Sequence, residues 1–297
     1  MPPQVEISGS YVALVTPFCD GEVDYDTLAE LVEFQIASGT QGLVPCGTTG
    51  ESPTLSHDEQ DRVTALVTEK AAGRVPVIAG TGSNATREAV QLTQHAKDCG
   101  ADACLVVNPY YNKPTQQGMF EHIERIAEVG LPIVLYNIPS RCGIELAVET
   151  VVRMYEQIEQ VVAIKEATGK LDVSGALAAA CDITILSGDD SLTLPICSVG
   201  GSGVISVLAN ILPREVRKLC DDIDAGDAEA ACEQHLRLLP AFKAMFVETN
   251  PIPVKAAMAM AGMVADELRL PMTPLSDRHR PALAKLLGEF GVNVKAR

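Results

Sequence analysis

The sequence predicts an α/β protein: a (β/α)8 TIM barrel with a small C-terminal helical extension. Three observations carry this. Short apolar runs alternate with helix-patterned stretches, the signature of parallel strands joined by right-handed crossovers. There are eight such runs, which favours a closed barrel over an open doubly wound sheet. After Pro213 the strand runs stop and only helical patterns follow. The division falls between 225 and 226. Residues 1–225 form the barrel that carries the active site, and 226–297 form the extension.

The predicted strands are 11–16, 42–45, 76–79, 103–107, 132–136, 161–165, 183–187 and 203–206. Apolar residues between them recur at spacings of three and four. Leu28, Leu31, Val32 and Ile36 make one such helical stripe; Val63, Leu66 and Val67 make another. The second helix opens at Ser56 with Glu59 three residues on, a capping box. The C-terminal helices are predicted over 214–225, 227–247, 253–262 and 277–290, with Pro251, Pro253, Pro271 and Pro274 marking breaks.

Composition removes several classes of function. The formal net charge of −16 over 297 residues repels nucleic acid and anionic membrane surfaces. No run of about 18 apolar residues exists, so no membrane span is expected; the longest candidate, 254–264, is interrupted by Lys255. The N-terminal ten residues lack the basic and apolar regions of a signal peptide. Nine cysteines, an odd number without CxxC spacing, argue against a disulfide framework or a zinc site and for a reducing, cytoplasmic setting. His57, His95, His122, His235 and His279 show no paired metal spacing.

Active sites of this fold lie at the C-terminal ends of the strands, so the residues that end each apolar run belong together. Strand two ends in PCGTTGES (45–52). Gly47 and Gly50 permit tight turns, and Thr48 and Thr49 with nearby N–H groups suit a small carboxylate; a plain threonine-stabilised turn is the other reading. Cys46 precedes this turn with no histidine at a comparable strand end, and reads as a buried, inert thiol. Strand three runs into GTGSNA (80–85), a weak match to a dinucleotide fingerprint and better read as a glycine-eased strand-to-helix loop. Strand four ends in NPYYNKPTQQG, whose adjacent Tyr110 and Tyr111 must diverge, one towards the site and one towards an interface, unless both are rim aromatics. Strand five ends at Tyr136, whose phenol should enter the barrel mouth and can relay protons. Arg141 follows in a loop, either as a carboxylate receptor or as an ordinary surface arginine.

Strand six, in VVAIKEATG (161–169), delivers Lys165 out of four apolar residues. An ammonium in such a place is costly, so the site favours the neutral amine, a nucleophile able to form a Schiff base. A lysine that snorkels past a strand end is the bland alternative. Its rival as a buried lysine, Lys255, lies in a helical setting where the stem should follow the apolar face and the charge reach water. Strand seven ends in SGDD (187–190), and GGSG (200–203) leads into strand eight as a flexible approach.

GTTGES, YNIPSRCG and VVAIKEATG in this order, with NPYYNKPTQQG, LSGDD, GGSGVIS, ETNPIPVK and LRLPMTP, resemble the dihydrodipicolinate synthase family over nearly the whole chain. That family belongs to a superfamily that includes N-acetylneuraminate lyase and related keto-acid aldolases. The resemblance implies a cytoplasmic lyase with no metal and no organic cofactor. Lys165 would form an imine with pyruvate, whose carboxylate Thr48 and Thr49 hold. Tyr136 would shuttle protons, and Arg141 would receive the carboxylate of aspartate 4-semialdehyde. The product would be 4-hydroxy-tetrahydrodipicolinate, on the route to diaminopimelate and lysine. Tyr111 would reach a neighbouring subunit's site and link Thr48 and Tyr136 in a proton relay, which implies a homo-oligomer, a dimer of dimers. The main-chain carbonyl of Ile205 would line the pyruvate pocket. Ser52, His57, Asn84, Glu88 and Tyr110 match positions of a lysine effector site. Gln60 and Pro53 depart from the pattern of strongly inhibited relatives, so weak-to-moderate inhibition is expected. The alternative on the same scaffold is another pyruvate-dependent aldolase or a keto-sugar-acid dehydratase, with Lys165 and Tyr136 retained. Of a different class is a silent barrel that binds a keto acid, against which the intact Lys165, Tyr136 and Thr48 set argues.

Overall fold

The computed structural model describes residues 7–294; the reading of the chain's first six residues lies outside them. Its eight parallel strands are Gly9–Ala13, Gly42–Val44, Ile78–Gly80, Ala103–Val107, Ile133–Asn137, Val161–Glu166, Thr184–Ser187 and Gly203–Ser206. Each pairs with its sequence neighbour and the first with the eighth. A bridge between Leu43 and Val77 joins strands two and three and closes the barrel. The first strand sits earlier than the predicted 11–16. Beyond Ala13 the chain leaves the ladder, and the Val15 N–H donates to Asn210 Oδ1 instead (3.1 Å).

Alternation along the strands sorts side chains into two layers. Ala13, Val44, Ile78, Leu105, Val134, Ala163, Leu186 and Ile205 fill the barrel interior. The opposite parity, with Leu135, Ile164 and Ile185 among it, packs under the helices. Both faces are therefore apolar, which is why these strands read as continuous hydrophobic runs.

The predicted capping box is present: Glu59 N–H donates to Ser56 Oγ, and Ser56 N–H to the Glu59 carboxylate. The eighth barrel helix is Pro213–Asp224, and Ala228–Ala244, Ile252–Ala261 and Arg280–Glu289 follow it. The extension shares one apolar cluster with the barrel: Leu238, Phe242, Met245, Val254 and Met258 join Val12, Leu14 and Leu43. Its placement matters for function, because the segment between Ala228–Ala244 and Ile252–Ala261 reaches Thr49 and Arg141 at the C-terminal rim.

Candidate active site

Lys165 and Tyr136 are direct cross-strand partners in the register of strands five and six. Ala163 and Val134, two residues earlier, face the barrel interior. Period-two alternation therefore brings Lys165 and Tyr136 to the same interior level at the C-terminal end. The Lys165 Nζ lies 4.4 Å from the centre of the Tyr136 ring. Lys165 is only 5% exposed.

Burial sets the electrostatics of both groups. It pulls the Lys165 amine down to about 8, with the Asp190 carboxylate opposing and the Arg141 charge assisting. It pushes the Tyr136 phenol up to about 12, against Arg141 and a hydrogen bond with Thr48. The amine thus has an accessible neutral form near pH 8, while the phenol keeps its proton and acts as a donor and relay. Asp190, buried beneath the site, accepts from the N–H groups of Val207 (2.9 Å) and Leu208 (3.2 Å), and burial still raises its acid to about 6.

The GTTG turn sits beside them. Thr48 is half-buried and reaches Tyr136, whereas Thr49 is buried and its Oγ1 accepts from Asn250 Nδ2 (3.0 Å). Cys46 is buried, its thiol pushed to about 12, consistent with the inert reading. Gly80 is needed at this junction: a Cβ there would lie 2.2 Å from the Cys46 carbonyl oxygen. Arg141, on the short helix Pro139–Cys142, donates through Nη2 to the Asn250 carbonyl (3.1 Å) and is otherwise open to the mouth. Ile205 faces the barrel interior from strand eight, opposite Tyr11 of strand one.

These strand-end residues coincide with a model of the dihydrodipicolinate synthetase family that matches residues 6–290. The chain belongs to that family. It is similar to a 4-hydroxy-tetrahydrodipicolinate synthase of Citrifermentans bemidjiense, at 53% identity over 95% of this chain and 98% of that one. Among solved structures it resembles the dihydrodipicolinate synthase of Aquifex aeolicus (TM-score 0.96, 48% identity, 98% of this chain and 100% of that one). It also resembles the enzyme of Cyanidioschyzon merolae with lysine bound (TM-score 0.93, 39% identity, 96% and 98%).

Of the residues read as family site positions, the structure brings Lys165, Tyr136, Thr48, Thr49, Arg141 and Ile205 to one barrel end. Tyr111 stands apart from the buried group, 90% exposed. A cavity of about 320 Å³ runs from Thr48 and Arg141 to Ser52, His57, Glu88 and Tyr110. Asn84 adjoins it, its carbonyl taken by Asn112.

Lys255 corrects the sequence reading. Its charge does not reach water: the side chain is 0% exposed and bonds Glu51 (2.6 Å) and the Thr16 carbonyl (2.9 Å), with the Phe18 ring at 4.2 Å. A carboxylate from the turn beside the cradle meets it inside the protein, a partner some two hundred positions away. Asn250, Glu51 and Asp190 likewise have partners that the sequence does not indicate, although ETNPIPVK, GTTGES and SGDD contain them.

Gly188 provides a local test. A Cβ there would lie 2.7 Å from Ala167 Cβ and 3.1 Å from Lys165 Cε. Gly188→Ala should therefore displace the lysine stem and slow trapping of a keto acid about tenfold or more, since misplacement of a reacting group by about 1 Å costs up to a hundredfold. Quantitative mass spectrometry of the Lys165 peptide checks it; trapping at the unaltered rate would show that the stem is not confined.

Proposed function

We propose that the chain condenses pyruvate with L-aspartate 4-semialdehyde to give 4-hydroxy-tetrahydrodipicolinate. The observation that carries this is the buried Lys165 amine, depressed to about 8 and facing the Tyr136 phenol at the barrel mouth. The names of the relatives, at about half identity over almost the full chain, support the same reading.

In this mechanism Lys165 Nζ attacks C2 of pyruvate, and the carbinolamine loses water to form the imine. Tyr136 passes protons in that step through its bond with Thr48. Loss of a C3 proton gives the enamine, because the protonated imine accepts the electron pair and no organic cofactor is needed. C3 then adds to the aldehyde carbon of the second substrate. That substrate's amine attacks C2, closes the ring and releases Lys165. Thr48 and Thr49 bind the pyruvate carboxylate, with the Ile205 carbonyl lining the pocket. Arg141, solvent-facing on one side and tethered to the Asn250 carbonyl on the other, receives the second carboxylate.

Tyr111 has a positive backbone φ of 73°, costly for an aromatic residue, and its ring projects into solvent. This supports a homo-oligomer, a dimer of dimers, in which Tyr111 completes a neighbour's relay. The cavity lined by Ser52, His57, Glu88 and Tyr110, with Asn84 beside it, supports a weak-to-moderate lysine effector site. Nine free cysteines, and no helix among the described residues long and apolar enough to cross a membrane, support a cytoplasmic setting. We treat 1–225 and 226–297 as the functional division, the first part supplying the chemistry.

Borohydride added with pyruvate should leave a reduced pyruvyl group on Lys165. Turnover should then require aspartate semialdehyde, not a sugar acid. An unmodified Lys165 peptide would overturn the assignment, and cleavage of sugar acids instead would favour the aldolase alternative. Arg141→Ala should raise the KM for the semialdehyde about ten- to a hundredfold and leave that for pyruvate within about threefold. Steady-state kinetics with each substrate varied in turn separates the two; equal losses would remove Arg141 from the second-substrate role.

A further inference from the structure

Asn250 belongs to the C-terminal extension, yet it touches two groups of the barrel rim. Its Nδ2 donates to Thr49 Oγ1 at 3.0 Å, and its main-chain carbonyl accepts from Arg141 Nη2 at 3.1 Å. Both Asn250 and Thr49 are buried. One residue from outside the first 225 positions thus joins the carboxylate cradle to the arginine at the mouth.

The direction of the first bond has a chemical consequence. A threonine hydroxyl has one proton and two acceptor lone pairs. Because the amide donates into Oγ1, the Thr49 proton is not consumed by Asn250 and stays available to a ligand. The donated bond also polarises the hydroxyl and strengthens the bond it can give in turn. A second observation sets Asn250 apart from a packing residue: its Oδ1 is buried with no hydrogen-bond partner. An amide here forgoes half its bonding capacity, a cost that an apolar side chain would avoid. Such unmet groups persist where another function retains them.

We propose that Asn250 is a positioning residue for the pyruvate carboxylate: its amide fixes the Thr49 hydroxyl as a donor to the substrate, while its carbonyl holds Arg141 for the second acid. This rests on the function proposed above and names a residue through which the extension acts on the site.

Asn250→Asp is the decisive variant, because it keeps the shape and reverses the bond. A carboxylate can only accept, so it captures the Thr49 proton and sets a negative charge beside the bound anion. The half-saturating pyruvate concentration for borohydride trapping should rise about thirtyfold or more, and for Asn250→Ala about three- to tenfold, as expected for losing one buried hydrogen bond. The KM for the semialdehyde should stay within about threefold, since the main-chain carbonyl is retained. In a Thr49→Val background, Asn250→Ala should add less than about twofold, because both changes act through the same donor, whereas Asn250→Asp keeps the part of its effect that comes from its charge. Pyruvate half-saturation within about twofold of the unaltered protein, or effects that multiply in the double variant, would overturn the proposal. Should Asn250→Asp fail to fold, judged by circular dichroism, the Asn250→Ala and Thr49→Val cycle decides by the same criterion. Failure of the underlying function is distinguishable: the unaltered protein would then form no adduct at all.

Discussion

Between pH 6 and 8 the rate of imine formation with pyruvate should rise about tenfold per unit, then level off above about 8. The sign follows from the group. The ammonium form is not a nucleophile, and burial favours the neutral amine, so lowering the pH through 8 removes the reactive form. Lowering the Lys165 amine from 10.5 to about 8 raises its neutral fraction at pH 7 about 300-fold. An exposed lysine would instead go on gaining rate to pH 10. Lys165→Ala should form no borohydride-stable adduct, and condensation should fall by roughly three orders of magnitude or more, since the covalent route is gone. Its fold should survive, because the apolar strand and both neighbours remain. Stopped trapping at several pH values and intact-mass measurement of the variant test both statements. A flat profile from pH 6 to 8 would mean that burial does not set the amine's reactivity.

Lys255→Met should destabilise the protein by about 3–5 kcal/mol, because it strands the buried Glu51 carboxylate without its partner. Lys255 and Glu51 are 0% and 2% exposed and meet at 2.6 Å. Burial pushes the lysine amine down while Glu51 holds it up. Glu51→Gln should cost less, since an amide oxygen can still accept from the amine. Replacing the pair together, Lys255→Met with Glu51→Leu, should cost less than the sum of the single changes, because neither charge is then left alone. Urea denaturation of the single and double variants checks this. A strictly additive double variant would show that the two groups do not interact. Glu51 follows the GTTG turn directly and also accepts from the Arg269 N–H (3.2 Å), so the same variants should weaken pyruvate binding. Arg269 reinforces the arrangement through two bonds to Glu59 (2.6 and 2.7 Å) and one to the Thr54 carbonyl.

The barrel was legible because its signals are local. Eight apolar runs, a capping box at Ser56 and glycines at the strand ends each report on a few neighbouring residues. The end of the apolar run in VVAIKEATG was enough to place Lys165 at the barrel mouth, and the end of the run before YNIPSRCG did the same for Tyr136. The resemblance of these motifs then tied them into one site.

Lys255 shows where that reasoning stopped. A helical lysine among apolar residues looks the same from sequence whether its amine reaches water or a buried carboxylate. Only the packing of Ile252–Ala261 against the GTTG turn decides it. Asn250 is the same case: nothing near it in sequence indicates Thr49 or Arg141. By itself, then, the sequence determined the strand and helix order, the residues that end each strand and the chemical type of the central nucleophile, because these depend on periodicity and on residues that end a run. The tertiary structure alone decided what surrounds that nucleophile: the depth of burial that brings the amine to about 8, the cradle's support from the C-terminal segment, and the ion pair beneath it. The last two depend on contacts between positions about two hundred apart, and no local pattern encodes which distant partner will arrive.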